Sequence, residues 1–123
     1  MTLKDFEALV TQALDNLPEE FARAMDNVEI VVEIWPTAQD LMAGKVTHGT
    51  LFGLYHGIPR TRRGHYAGAL PDKISIFAGP IVAAFGESPD EVRDQVRKTV
   101  LHEIAHHFGL DEHEIRNAMS PKS

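Results

Sequence analysis

Near the C-terminal end of this 123-residue chain, two histidines and a glutamate stand at a spacing suited to metal-assisted hydrolysis: His102, Glu103 and His106, in the run V-L-H-E-I-A-H-H-F-G-L-D-E. Four residues are close to one helical turn, so on a helix His102 and His106 lie one above the other on the same face. Two stacked imidazoles can share one divalent cation, and Zn²⁺, one per chain, is the expected ion for a site completed by a carboxylate. Glu103 is then placed as general base. Zinc lowers the pKa of a bound water towards ~7, and the neighbouring carboxylate takes the proton as the water attacks a carbonyl. His107 is rotated about a hundred degrees from His106 and cannot share its metal. Gly109 falls where the helix stops and the chain turns back, and the acidic pair Asp111-Glu112 arrives where a third ligand is needed.

The pattern H-E-x-x-H-x-x-G-x-x-ligand, followed by a methionine, resembles the metzincin branch of zinc peptidases. With His102 as its start, Gly109 falls on that family's glycine and Glu112 on its third-ligand position, where metzincins usually carry histidine. Ala118-Met119-Ser120-Pro121 resembles their Met-turn. More closely, the chain resembles the small bacterial zincin-like metallopeptidases, through H-E-x-x-H-H-F-G at 102–109 and through the segments Leu54–Pro59 and Leu70–Ile74. The resemblance extends over most of the chain from about Val28 onward. It implies a minimal zincin that hydrolyses peptide bonds in a peptide or protein substrate. Zinc would be held by His102, His106 and Glu112, with His113 and Asp111 as alternative third ligands. Glu103 would act as general base and then as proton shuttle to the leaving amine. By the same analogy an edge strand would pair with an extended substrate, a role for which Lys73–Phe77 is the candidate. Tyr55 and Tyr66 are candidates for stabilising the oxyanion.

The element that must carry the motif is well punctuated. Ser88-Pro89-Asp90-Glu91 offers an N-cap serine, proline at the first helical position and a glutamate three residues after the cap. Val92, Val96 and Val100 form an apolar stripe leading towards Glu103 and Ile104, and Leu101, Ala105 and Phe108 form a second. Asp111 can cap a last short helix from Glu112 to about Ala118. Upstream, Leu3, Phe6, Leu9, Val10, Ala13 and Leu14 recur at helical spacing and predict a helix from Leu3 to about Asn16, capped by Thr2 with Asp5. Glu19–Met25 follows as a second helix with Pro18 at its first position. Three segments read as strands: Val28–Trp35, Thr50–His56 and Asp72–Phe77. Gly53 within the second marks a bulge or close packing. Thr37–Met42 reads as a helical turn or loop, and Ile81–Phe85 as a short helix after a Gly79-Pro80 break. Arg60–Gly68 reads as an exposed basic loop. The expected fold is α+β: a small mixed or antiparallel sheet packed on the motif helix, with N-terminal helices on the other side, in a single domain spanning 1–123.

Composition narrows the chemistry. There is no cysteine, which excludes a disulfide framework and any thiolate zinc site. The formal net charge of −6 argues against a general grip on nucleic acid. The N-terminus lacks the apolar core of a signal peptide, and no apolar run approaches ~18 residues, so a cytoplasmic protein without membrane contact is expected. Two rival readings remain. One is a metal-dependent ribonuclease of the rRNA-maturation type, whose H-x-x-x-H-x-x-G-x-x-H pattern this chain fits in spacing; Glu103 is the residue a peptidase adds, and Arg60, Arg62 and Arg63 would be the local basic patch. The other is a non-catalytic, metal-stabilised module that captures an extended peptide.

Overall fold

A computed structural model describes residues 1–45, 51–57, 72–107 and 113, including the helix side chains other than those of Glu20, Ala24, His106 and His107. Helix α1 (Leu3–Asp15) starts at a reciprocal cap. The Thr2 hydroxyl accepts from the Asp5 N–H at 3.1 Å, and the Asp5 carboxylate accepts from the Thr2 N–H at 3.3 Å. Its periodic face, Phe6, Leu9, Val10 and Ala13, is buried. Helix α2 (Glu19–Ala24) follows, with Pro18 at the N-cap rather than inside the first turn, and its Phe21 is buried.

Strand β1 (Val28–Glu33) stops two residues short of the predicted Trp35. Ile34 and Trp35 lie beyond it, 50% and 58% exposed. Of the two readings for Thr37–Met42, a helical turn or a loop, the helical one is realised as helix α3 (Ala38–Ala43), which carries a second reciprocal cap between Thr37 and Asp40. Among the described residues, strand β2 (Gly53–His56) and strand β3 (Asp72–Phe77) complete a three-stranded sheet of order β1-β3-β2. β1 runs parallel to β3, and β2 antiparallel to it. The sheet is therefore mixed, and the fold is α+β.

Two further sequence expectations are corrected. β3 is the central strand, paired on both sides, so Lys73–Phe77 cannot be the edge that meets a substrate. It is also buried on both faces: Ile74 and Ile76 on one, Ser75 and Phe77 on the other. Second, Gly79-Pro80 does not separate strand from helix. Helix α4 (Ala78–Phe85) begins immediately after Phe77. Pro80 sits in its first turn, where an intrahelical N–H donor is not needed. The Gly79 N–H donates instead to the Ile34 carbonyl, at 2.8 Å.

Helix α5 (Pro89–His107) is the longest element, 19 residues. Ser88 caps it through the Glu91 N–H. Phe108 lies outside the described residues. The described residues of both apolar stripes are buried, with Val92, Val96, Val100, Leu101 and Ala105 wholly inaccessible and Ile104 nearly so. They meet the α1 face, the Ile74–Ile76 face of the sheet and Ile81 of α4 in one cluster. The predicted last helix and the Arg60–Gly68 loop lie outside the described residues, apart from His113, which is helical and exposed. No helix among the described residues is long and apolar enough to cross a membrane.

Candidate active site

With its apolar stripes turned inward, α5 leaves a polar stripe facing the β2 edge of the sheet: Gln95, Thr99 and Glu103, each four residues from the next. Together with His102 and Lys98 these residues form one wall of a cleft of about 310 Å³. The opposite wall is Leu51, Phe52 and Gly53. His102 and Glu103 are both half-buried in it. The helix continues unbroken through His107, so its backbone carries His106 one turn beyond His102, as the motif requires.

The two walls touch. Gly53 lies so close to α5 that a Cβ there would sit 2.5 Å from Thr99 Cγ2 and 3.0 Å from the Ser75 carbonyl oxygen. Of the two readings of Gly53, close packing is therefore the one realised. Two residues on, the Tyr55 main-chain N–H donates to Glu103 Oε2 at 3.3 Å. The Phe77 N–H donates to the Phe52 carbonyl, and β2 pairs Leu54 with Ser75 and His56 with Lys73. By the alternation of an antiparallel ladder, Gly53 and Tyr55 therefore turn their main-chain groups away from β3 and towards the cleft.

The Tyr55 hydroxyl points elsewhere. It donates to Asp72 Oδ2 at 2.6 Å, and Asp72 is buried. That bond directs the phenol to the sheet's end, so Tyr55 meets Glu103 through its amide and not through the oxygen expected to polarise a carbonyl. Tyr66, the other candidate, lies outside the described residues. On the opposite face of the sheet, His56 Nε2 and the Ser75 hydroxyl lie 3.3 Å apart. The His56 pKa is lowered, chiefly by burial and then by the Lys73 ammonium, against smaller opposing effects of Asp40 and Glu33.

Zinc fits the donor types offered. A half-buried imidazole and a carboxylate already share the cleft, and the helix backbone sets a second histidine one turn away. Among the described residues there is no group of three or more metal-ligating side chains. The His106 side chain and the candidate third ligands Asp111 and Glu112 lie outside them, as do Gly109 and Met119, while His113 is exposed. Sequence reading missed Thr99, Gln95 and Lys98 as cleft residues. The signal was present: stepping back from Glu103 by fours gives Thr99 and Gln95, a polar stripe between two apolar ones.

No curated protein sequence matches the chain. Among solved structures it is similar to a conserved hypothetical protein from Thermus thermophilus, at 25% identity and a TM-score of 0.54, over 87% of this chain and 94% of that one. The family model of the zincin-like metallopeptidases matches residues 25–120, which takes in the sheet, the cleft and the whole of the motif helix. The chain belongs to the zincin-like metallopeptidase family.

Proposed function

We propose that the protein is a zinc-dependent peptidase acting on an extended peptide or protein segment. His102, His106 and Glu112 are the proposed ligands and Glu103 the general base. The observation that carries the reading is the placement of His102 and Glu103 together in a cleft beside the outward edge of β2, in a chain of this family. When bound, zinc supplies the Lewis acidity that acidifies water. Glu103 Oε atoms take the proton of the attacking water and deliver it to the leaving amine. The outward main-chain groups of Gly53 support strand-like docking of substrate backbone, which gives affinity with little sequence preference. β2 thus takes the part that the sequence suggested for β3.

The test compares the zinc-loaded protein with Glu103→Gln and His106→Ala on an unstructured protein substrate such as casein. Glu103→Gln is expected to keep about one zinc per chain and lose turnover by at least about a hundredfold. His106→Ala is expected to lose the zinc. Hydrolysis surviving in Glu103→Gln at the wild-type rate would remove Glu103 from the chemistry and with it this mechanism.

A further inference from the structure

The cleft carries a contact that the hydrolytic chemistry does not itself require: the edge strand touches the motif helix at two points two residues apart. Gly53 rests against Thr99, and the Tyr55 amide reaches Glu103. Thr99 and Glu103 are one helical turn apart, and Gly53 and Tyr55 are successive residues on one face of β2, so the two contacts run side by side. The first sets the distance at which the second can form. A Cβ at Gly53 would meet Thr99 Cγ2 at 2.5 Å, a separation that atoms of this kind do not adopt. The strand or the helix would have to move, and the 3.3 Å hydrogen bond to Glu103 is already near the long limit for an N–H donor. Thr99 is fixed in turn. It is 6% exposed, and its hydroxyl accepts from Gln95 Nε2 at 3.0 Å.

We propose that Gly53 and Thr99 are a positioning pair: their contact seats β2 against α5 so that the Tyr55 main-chain amide holds the Glu103 carboxylate in its working orientation. The proposal rests on Glu103 being the general base. A backbone donor suits the task because the sheet fixes its direction and it has no rotamer to lose.

Amide hydrogen exchange, resolved by residue in the full chain, reads the contact without substrate. The Tyr55 amide is expected to be protected in the wild type although it faces away from β3, and to lose protection in Glu103→Ala. The Leu54 and His56 amides, which belong to the β2–β3 ladder, are expected to stay protected. Gly53→Ala is expected to lose protection at Tyr55 as Glu103→Ala does. Its kcat on casein is expected to fall about tenfold or more, with zinc content near wild type, since misplacement on the order of 1 Å can cost about a hundredfold. Adding Thr99→Ser removes the clashing Cγ2 and keeps the hydroxyl for Gln95, so the double variant is expected to regain most of both losses. Protection at Tyr55 that persists in Glu103→Ala overturns the proposal, and this arm decides even if Gly53→Ala does not fold. Unchanged kcat in a folded Gly53→Ala also overturns it. If Glu103→Gln still hydrolyses, the peptidase reading falls. If Glu103→Gln is dead while Gly53→Ala is fully active, only the positioning pair falls.

Discussion

His56 ties the sheet to the pH of its surroundings. Its ring is half-buried, lies 3.3 Å from the buried Ser75 hydroxyl and feels the charges of Lys73, Asp40 and Glu33. Burial and Lys73 favour the neutral ring, so the folded-state pKa lies below 6.5. The unfolded chain then takes up a proton at higher pH than the folded one, and acid favours unfolding. The stabilising contribution is complete above the unfolded value and is lost as the pH falls through the folded one. Urea unfolding in excess chelator, which leaves the metal out of the balance, is expected to show less loss of stability between pH 7.5 and pH 5.5 in His56→Gln than in the wild type. Equal losses in the two proteins would place the titration elsewhere. A second residue-scale expectation concerns Tyr55→Phe, which deprives the buried Asp72 of a 2.6 Å donor. Its expected cost is ~1–3 kcal/mol in urea unfolding at neutral pH.

At the scale of elements, two glycines hold the ends of α4 by different means. Gly79 lies against the chain beyond β1, where a Cβ would sit 2.7 Å from the Ile34 carbonyl oxygen and 2.5 Å from Trp35 Cε2. The exposed Trp35 ring can swing away, but the carbonyl, which accepts the Gly79 N–H, cannot. Gly86 has open space around it but a φ of 64° and ψ of −145°, a region that a side chain disfavours. Gly79→Ala and Gly86→Ala are each expected to cost ~1–3 kcal/mol by urea unfolding, the first through overpacking and the second through backbone strain. They separate by one measurement. Trp35 fluorescence in the folded state is expected to change in Gly79→Ala and to stay as in the wild type in Gly86→Ala. What the sequence made legible at this scale follows the range of the forces involved. The caps at Thr2 and Ser88 and the stripes of α1 and α5 depend on neighbours three or four residues away, and among the described residues they fold as read except at Leu3, which opens the α1 stripe and is exposed. Strand order does not. Asp72–Phe77 alternates polar and apolar residues like a half-solvated strand, yet Ser75 is fully buried, because β2 and β1 flank it and His56 meets its hydroxyl. The same limit applies to the site. His102 and Glu103 are neighbours and were legible at once, whereas the Gly53–Thr99 contact joins distant segments and appears only when the sheet is laid against the helix.

At the scale of the molecule, the site and the core share one helix. Val96, Val100, Leu101, Ile104 and Ala105 fill the interior from the same three turns that present His102 and Glu103 to the cleft. Anything that binds His102 and His106 in the folded state therefore stabilises the whole packed cluster, not a detachable loop. Zinc at a hundredfold excess over its Kd is expected to add ~2.7 kcal/mol, a rise of several degrees in Tm, and excess chelator is expected to remove it. His106→Ala should show no such rise. The coupling is sharpest in a weakened core. Ile104 is 1% exposed, directly follows Glu103 and joins the stripe packed on α1 and the sheet. Ile104→Ala is expected to cost ~2–5 kcal/mol, a large share of the ~5–15 kcal/mol that holds a domain folded. Metal-free Ile104→Ala should then unfold well below the wild type. Added zinc should recover about as many kcal/mol as it gives the wild type, because the substitution removes packing and leaves the ligands in place. Zinc that stabilises the wild type but not a folded Ile104→Ala would show instead that the helix needs this side chain to aim its histidines, and that core and site are not separable contributions.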